Sequence, residues 1–162
     1  MHIWEVVSYL AFIMIIIGVF YERYRNLLIT IGAIVLATYA AVFLQNRLLT
    51  TLQIVIAFSG ILQLCQVPRK LTMCGMFGCT TVAYYSIISK NIITDTWSFI
   101  GSLGLLGIAI GLTILPKRYG FLVMAMGGLF LVLYSFVVGA WVFFFFNIFF
   151  FVANIRTWKI SQ

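Results

Sequence analysis

Residues 105–137, LLGIAIGLTILPKRYGFLVMAMGGLFLVLYSFV, decide the fold, because their pattern has already occurred once in the chain. Shifted back by ninety-five positions they fall on residues 10–42, LAFIMIIIGVFYERYRNLLITIGAIVLATYAAV. Arg23/Arg118, Tyr24/Tyr119, Leu27/Leu122, Gly32/Gly127, Leu36/Leu131, Tyr39/Tyr134 and Val42/Val137 coincide, seven identities in the twenty ungapped positions from 23 to 42. Leu10/Leu105, Ile13/Ile108 and Ile15/Ile110 add three more upstream. Aliphatic residues match by chance in an apolar chain, whereas the arginine, glycine and tyrosine pairs do not. The pattern therefore predicts a diverged internal repeat with both copies in the same orientation.

Composition says what kind of repeat this is. The 162 residues are 64% apolar and 8% charged, whereas a water-soluble domain carries about 25% charged residues. A transmembrane helix needs about 20 predominantly apolar residues. Seven segments qualify, at 3–20, 26–44, 48–67, 71–89, 97–115, 119–138 and 140–155, none with a charge in its middle. A single helix over the uncharged run 121–152 would far outreach a hydrocarbon core of about 30 Å, so the chain must turn near Val138-Gly139-Ala140. Residues 1–20 contain no Lys or Arg ahead of the apolar core, unlike a cleaved signal, so the first span is expected to stay.

The net charge of +7 does not form a nucleic-acid surface, because the basic residues are scattered in short clusters between spans. Arg23 and Arg25, Arg69 and Lys70, Lys117 and Arg118, and Arg156 and Lys159 all fall on one side of a seven-span chain. Only Arg47 and Lys90 fall on the other, with Glu5 and Asp95. The positive-inside rule then places the N-terminus outside and the C-terminus in the cytoplasm. Six spans would spoil this alternation. The expected fold is all-α: a polytopic membrane protein of seven transmembrane helices, two parallel three-helix bundles (1–70 and 97–162) joined by a linker helix and connection (71–96).

Polar residues inside such spans carry the functional reading, since an unpaired polar group in lipid is costly and turns toward another helix or a watered cavity. At about 100° per residue, Ser59, Gln63 and Gln66 share a face of the third span. Asn147 and Asn154, seven apart, share a face of the seventh. A shift of eighty-eight, with seven residues deleted, sets Ser59 against Asn147 and Gln66 against Asn154. The reading is a cavity between the halves lined by these amides, with interhelical hydrogen bonding as the plainer use of each. Tyr39 and Tyr134 occupy equivalent places where a ring could stack on a planar solute. Trp141 could cap the cavity or join Trp4, Trp97 and Trp158 in interfacial belts.

Other features are structural. Gly101, Gly104, Gly107 and Gly111 form a smooth strip that lets another backbone approach closely. The rings of Phe143 to Phe146 and Phe149 to Phe151 must in part face lipid or a second subunit. Pro68 and Pro116 read as helix punctuation. Cys65, Cys74 and Cys79 read as buried small apolar side chains, without disulfide or metal spacing. His2, Glu5, Glu22 and Asp95 complete an inventory too sparse for acid/base, metal or nucleophilic catalysis, so neither an enzyme nor a cofactor is expected.

The seven-span arrangement, Asn147 on the seventh helix and the ending Asn154-Ile155-Arg156-Thr157-Trp158-Lys159 together resemble the superfamily of SWEET, PQ-loop and Pnu-type transporters and YgjV-type small bacterial inner-membrane proteins. The Pro-Gln dipeptide of that superfamily is absent. The resemblance implies an inner-membrane carrier with an asparagine on the third helix of each bundle facing the solute. The expectation is facilitated passage of a small neutral or weakly polar solute by alternating access, through Asn147, Ser59, Gln63, Gln66, Asn154, Tyr39, Tyr134 and Trp141, with membrane lipid and a second copy as further partners. A non-transporting subunit or lipid-interacting scaffold is the competing expectation.

Overall fold

The computed structural model describes residues 3–20, 24–114 and 117–160. His2, Glu22, Arg23, Leu115 and Pro116 lie outside the described residues. The described chain is all-helical, in seven elements: α1 (Ile3–Phe20), α2 (Arg25–Val42), α3 (Arg47–Leu64), α4 (Arg69–Ser89), α5 (Thr96–Ile114), α6 (Arg118–Val137) and α7 (Trp141–Ile160). Among the described residues α3 to α7 are long and apolar enough to cross a membrane, and Trp4–Ile17 and Asn26–Val42 are shorter apolar segments within α1 and α2. Helices of 18 to 21 residues at about 1.5 Å per residue match a core of about 30 Å. The apolar helices fit a membrane protein, as composition predicts.

Boundaries follow from local chemistry. Asn46 accepts from Leu49 N at 3.0 Å and starts α3, and Asp95 does the same for α5 through Ser98 N at 2.6 Å. Several side-chain hydroxyls return to carbonyls of the preceding turn, as Thr30 does to Asn26 O at 2.6 Å, which satisfies their donors in lipid. Helix α3 ends earlier than the sequence suggests. Gln66 has φ 51 and Val67 N bonds back to Leu62 O at 3.1 Å, because the residue before Pro68 is disfavoured in the helical region. Gln66 therefore lies in the turn and not on the face of Ser59 and Gln63. Helix α7 instead runs five residues beyond the expected end, through Arg156 and Lys159, whose long stems can keep their charges at the interface.

Two compact units divide the chain, Met1–Met76 and Phe77–Gln162, with the division inside α4. In the first, α2 packs on α1 and α3; in the second, α6 packs on α5 and α7. The glycine strip of α5 meets α6. A methyl carbon on Gly107 would lie 2.9 Å from Gly127 Cα, and one on Gly104 2.9 Å from Gly127 O. Gly101 lies beneath the Tyr134 ring and Gly111 against Met124. In the first unit Gly32 meets Ala11 O and Ile15 on α1, so Gly32 and Gly127 serve the same close approach of neighbouring helices. Cys65 and Cys74 are free and exposed, not buried as expected, and Cys79 is a half-buried free thiol. In an apolar solvent a thiol has no need of the protein interior.

Candidate functional site

The two units match one another at an offset different from the one the sequence suggests. The α2–α3 connection holds four residues, 43–46, and the α6–α7 connection three, 138–140. The difference is one residue, not the seven that the sequence alignment assumed. Gln45 (φ 49) and Gly139 (φ 68) are the left-handed residues of the two turns. Thr50 N bonds to Asn46 O at 3.0 Å, and Phe144 N to Ala140 O at 2.9 Å. A shift of ninety-four superposes each of these pairs. The burial pattern agrees: Leu48, Leu49, Leu52 and Gln53 are enclosed in α3, and Val142, Phe143, Phe146 and Asn147 in α7. At that shift Gln53 aligns with Asn147, and Ser59 with Ala153.

The same shift aligns α1 with α5. Ser8 and Ser102 are both fully enclosed, and each donates three residues back, to Glu5 O at 2.8 Å and Phe99 O at 2.7 Å. Ala11 and Leu105, and Ile15 and Ala109, are likewise buried pairs. The upstream aliphatic identities at ninety-five do not share burial: Leu10 is 55% exposed and Leu105 is 0% exposed. Between α2 and α6 the shift of ninety-five stands, with Leu36 and Leu131 both fully buried.

Gln53 and Asn147 share a chemical peculiarity. Both are 0% exposed. Among the described residues Gln53 Nε2 and Oε1 meet no hydrogen-bond partner, and neither does Asn147 Oδ1. Asn147 Nδ2 donates to Phe143 O at 2.8 Å, which fixes the amide against its own helix and aims the oxygen away from that bond. An unmet buried polar group costs about 1–3 kcal/mol in water-soluble interiors, so native folds rarely hold one without a use. Ser135 Oγ on α6 is a further enclosed atom of this kind.

The remaining expected residues scatter. Ser59 is buried and accepts from Gln63 Nε2 at 3.4 Å, while Gln63 itself is exposed. Gln66 is exposed in the turn. Asn154 is 6% exposed and donates to Phe150 O at 2.7 Å, repeating one turn pair later what Asn147 does. Tyr134 is buried with its ring over Gly101. Tyr39 is half-buried and stacks on Phe43, with centroids 5.9 Å apart. Trp141 is exposed in an aromatic group with Phe136 and Phe144, both at 5.9 Å. Within the second unit Tyr84 on α4 donates to Ser102 Oγ at 3.3 Å.

Charge is managed outside the spans. The Asp95 carboxyl is held below its ordinary range by the Ser98 backbone N–H it accepts, and next by the Ser98 hydroxyl. At the opposite end of the second unit Arg118 Nε donates to Trp158 O at 3.2 Å, and its guanidinium lies 4.9 Å from the centre of the Trp158 ring. A cation on the last carbonyls of α7 opposes the helix dipole.

Gln53 was missed because helical spacing sets it apart from Ser59 by six residues, about 120° round the helix. The signal that could have found it is the turn chemistry, Gln45-Asn46 against Gly139-Ala140. No family model, curated protein or solved structure matches this chain.

Proposed function

We propose that the protein is a membrane facilitator for a small neutral or weakly polar solute, built as a repeat of three helices with α4 between the two copies in sequence, with the carboxamides of Gln53 and Asn147 as its solute-handling groups. The observation that carries this reading is the pair of enclosed amides with unmet hydrogen-bonding atoms at equivalent places in α3 and α7. A primary amide donates and accepts at once, which suits hydroxyl, amide or lactam groups and carries no charge that would demand a counter-ion. Ser59, Asn154, Tyr39 and Tyr134 are supporting polar groups in their own units. The absence of acidic residues from α2, α3, α4, α6 and α7 favours passive passage over proton coupling, since membrane-buried carboxylates are the usual proton relays. Alternating access, an N-terminus outside, a C-terminus in the cytoplasm and a bacterial inner membrane complete the proposal, on the clustering of cations at alternate connections.

A second reading, a non-transporting subunit, is favoured by α4, which presents Phe77, Val82 and Tyr85 at 69–73% exposure. Uptake of labelled hexose, nucleoside and pyridine-carboxamide probes into vesicles holding the purified chain tests the two readings. Saturable entry of at least one probe is expected. Entry no faster than in empty vesicles for every probe, alongside a partner that co-purifies at fixed stoichiometry, would favour the subunit.

A further inference from the structure

One face of the C-terminal half of α7 bears an open, shallow depression of about 380 Å³ between the side chains of Phe151, Val152, Ile155, Arg156, Lys159 and Ile160. Its chemistry is divided along the helix. Val152 and Ile155 form an apolar floor, and Arg156 and Lys159 each stand four residues further on, one turn closer to the helix end. The two cations are three apart and so are neighbours on the helix surface. Among the described residues neither side chain makes a hydrogen bond or ion pair, and both residues are exposed. Neither α6 nor α7 contains an acidic residue. Arg118, by contrast, is already engaged with the Trp158 carbonyl and ring, so helix-end capping does not require Arg156 or Lys159.

An apolar depression that ends in two unpaired cations at a membrane surface matches a molecule with a hydrocarbon chain and an anionic head. We propose that this depression holds one anionic phospholipid, its phosphate between Arg156 and Lys159 and one acyl chain along Phe151, Val152 and Ile155. A zwitterionic lipid brings its own cation to the same place and binds less well. Solutes of the proposed carrier play no part in this site, which stands or falls independently of transport.

The test is native mass spectrometry of the purified chain titrated with phosphatidylglycerol against a phosphatidylcholine background. One phosphatidylglycerol is expected to be retained by the native protein. Arg156→Gln/Lys159→Gln should weaken retention by about tenfold or more, given the attraction of each basic residue to an anionic surface. Lys70→Gln/Lys117→Gln removes two exposed cations from other connections and should change retention by less than about threefold. Glycerol phosphate, a head without chains, should not compete. Undiminished retention by the α7 double variant, equal losses in both double variants, or displacement by glycerol phosphate would each overturn the assignment. Thermal unfolding in pure phosphatidylcholine, unchanged between the proteins, shows that the variants are folded.

Discussion

A primary amide with nothing to bond inside a helical bundle is a cost that an apolar side chain of similar shape would avoid. Gln53→Met keeps the unbranched shape and removes both unmet atoms, so it should raise the free energy of unfolding by about 1 kcal/mol or leave it unchanged, as measured by denaturant titration in detergent. Loss of several kcal/mol would show that the amide is bonded in the native membrane. Asp95 behaves in the opposite sense. Its carboxyl is depressed in the folded chain by the Ser98 amide, so the stabilisation it gives is present above the unfolded carboxylate pKa of about 3.9 and is lost as pH falls through the lower folded value. Melting points of the native chain and of Asp95→Ala should therefore differ at neutral pH and converge in acid. A constant gap would remove the ionic part of the cap.

Helix contacts are where glycine identity matters. A methyl at Gly127 would lie 2.7 Å from both Gly104 O and Ile108 N, and backbone cannot swing aside as a side chain does. Gly127→Ala should cost about 1–3 kcal/mol by overpacking. Gly78, with nothing within 4 Å of its added methyl, should accept alanine with a gain of about 0.5–1 kcal/mol, and the two melting points should move in opposite directions. The turns make a matching pair. Gly139 at φ 68 suits glycine, and Gln45 holds φ 49 with an exposed side chain, so Gly139→Ala should lower stability by about 1 kcal/mol and Gln45→Gly should not. The glycine strip and the turn at 138–140 were legible in the sequence because steric size and chain length each dictate them. The length of α3 was less so: Pro68 in the sequence marks an end close by, whereas the left-handed turn at Gln66 ends the helix earlier, at Leu64.

Seven helices could be read from the sequence because membrane thickness sets a common length for apolar spans, charges lie at or beside most connections, and the uncharged run 121–152 is too long for one helix and must turn at Gly139. Register between the two halves could not, because aliphatic residues match at any shift, and the alignment at ninety-five paired exposed Leu10 with buried Leu105. Only side-chain burial and turn hydrogen bonds reveal the one-residue offset at which Gln53 in the first unit corresponds in position to Asn147 in the second. Of the expected site, Ser59, Tyr134, Asn147 and Asn154 are buried, Gln66 leaves its helix, and Gln53 enters on geometry alone. The proposed equivalence of the two halves makes a demand on the intact protein: damage to either amide should have the same consequence. Initial rates of entry of the best-carried probe into vesicles should fall at least about tenfold, the equivalent of about 1.4 kcal/mol, in both Gln53→Met and Asn147→Leu, with reconstitution and melting behaviour preserved. Entry at the native rate in both variants would contradict the account.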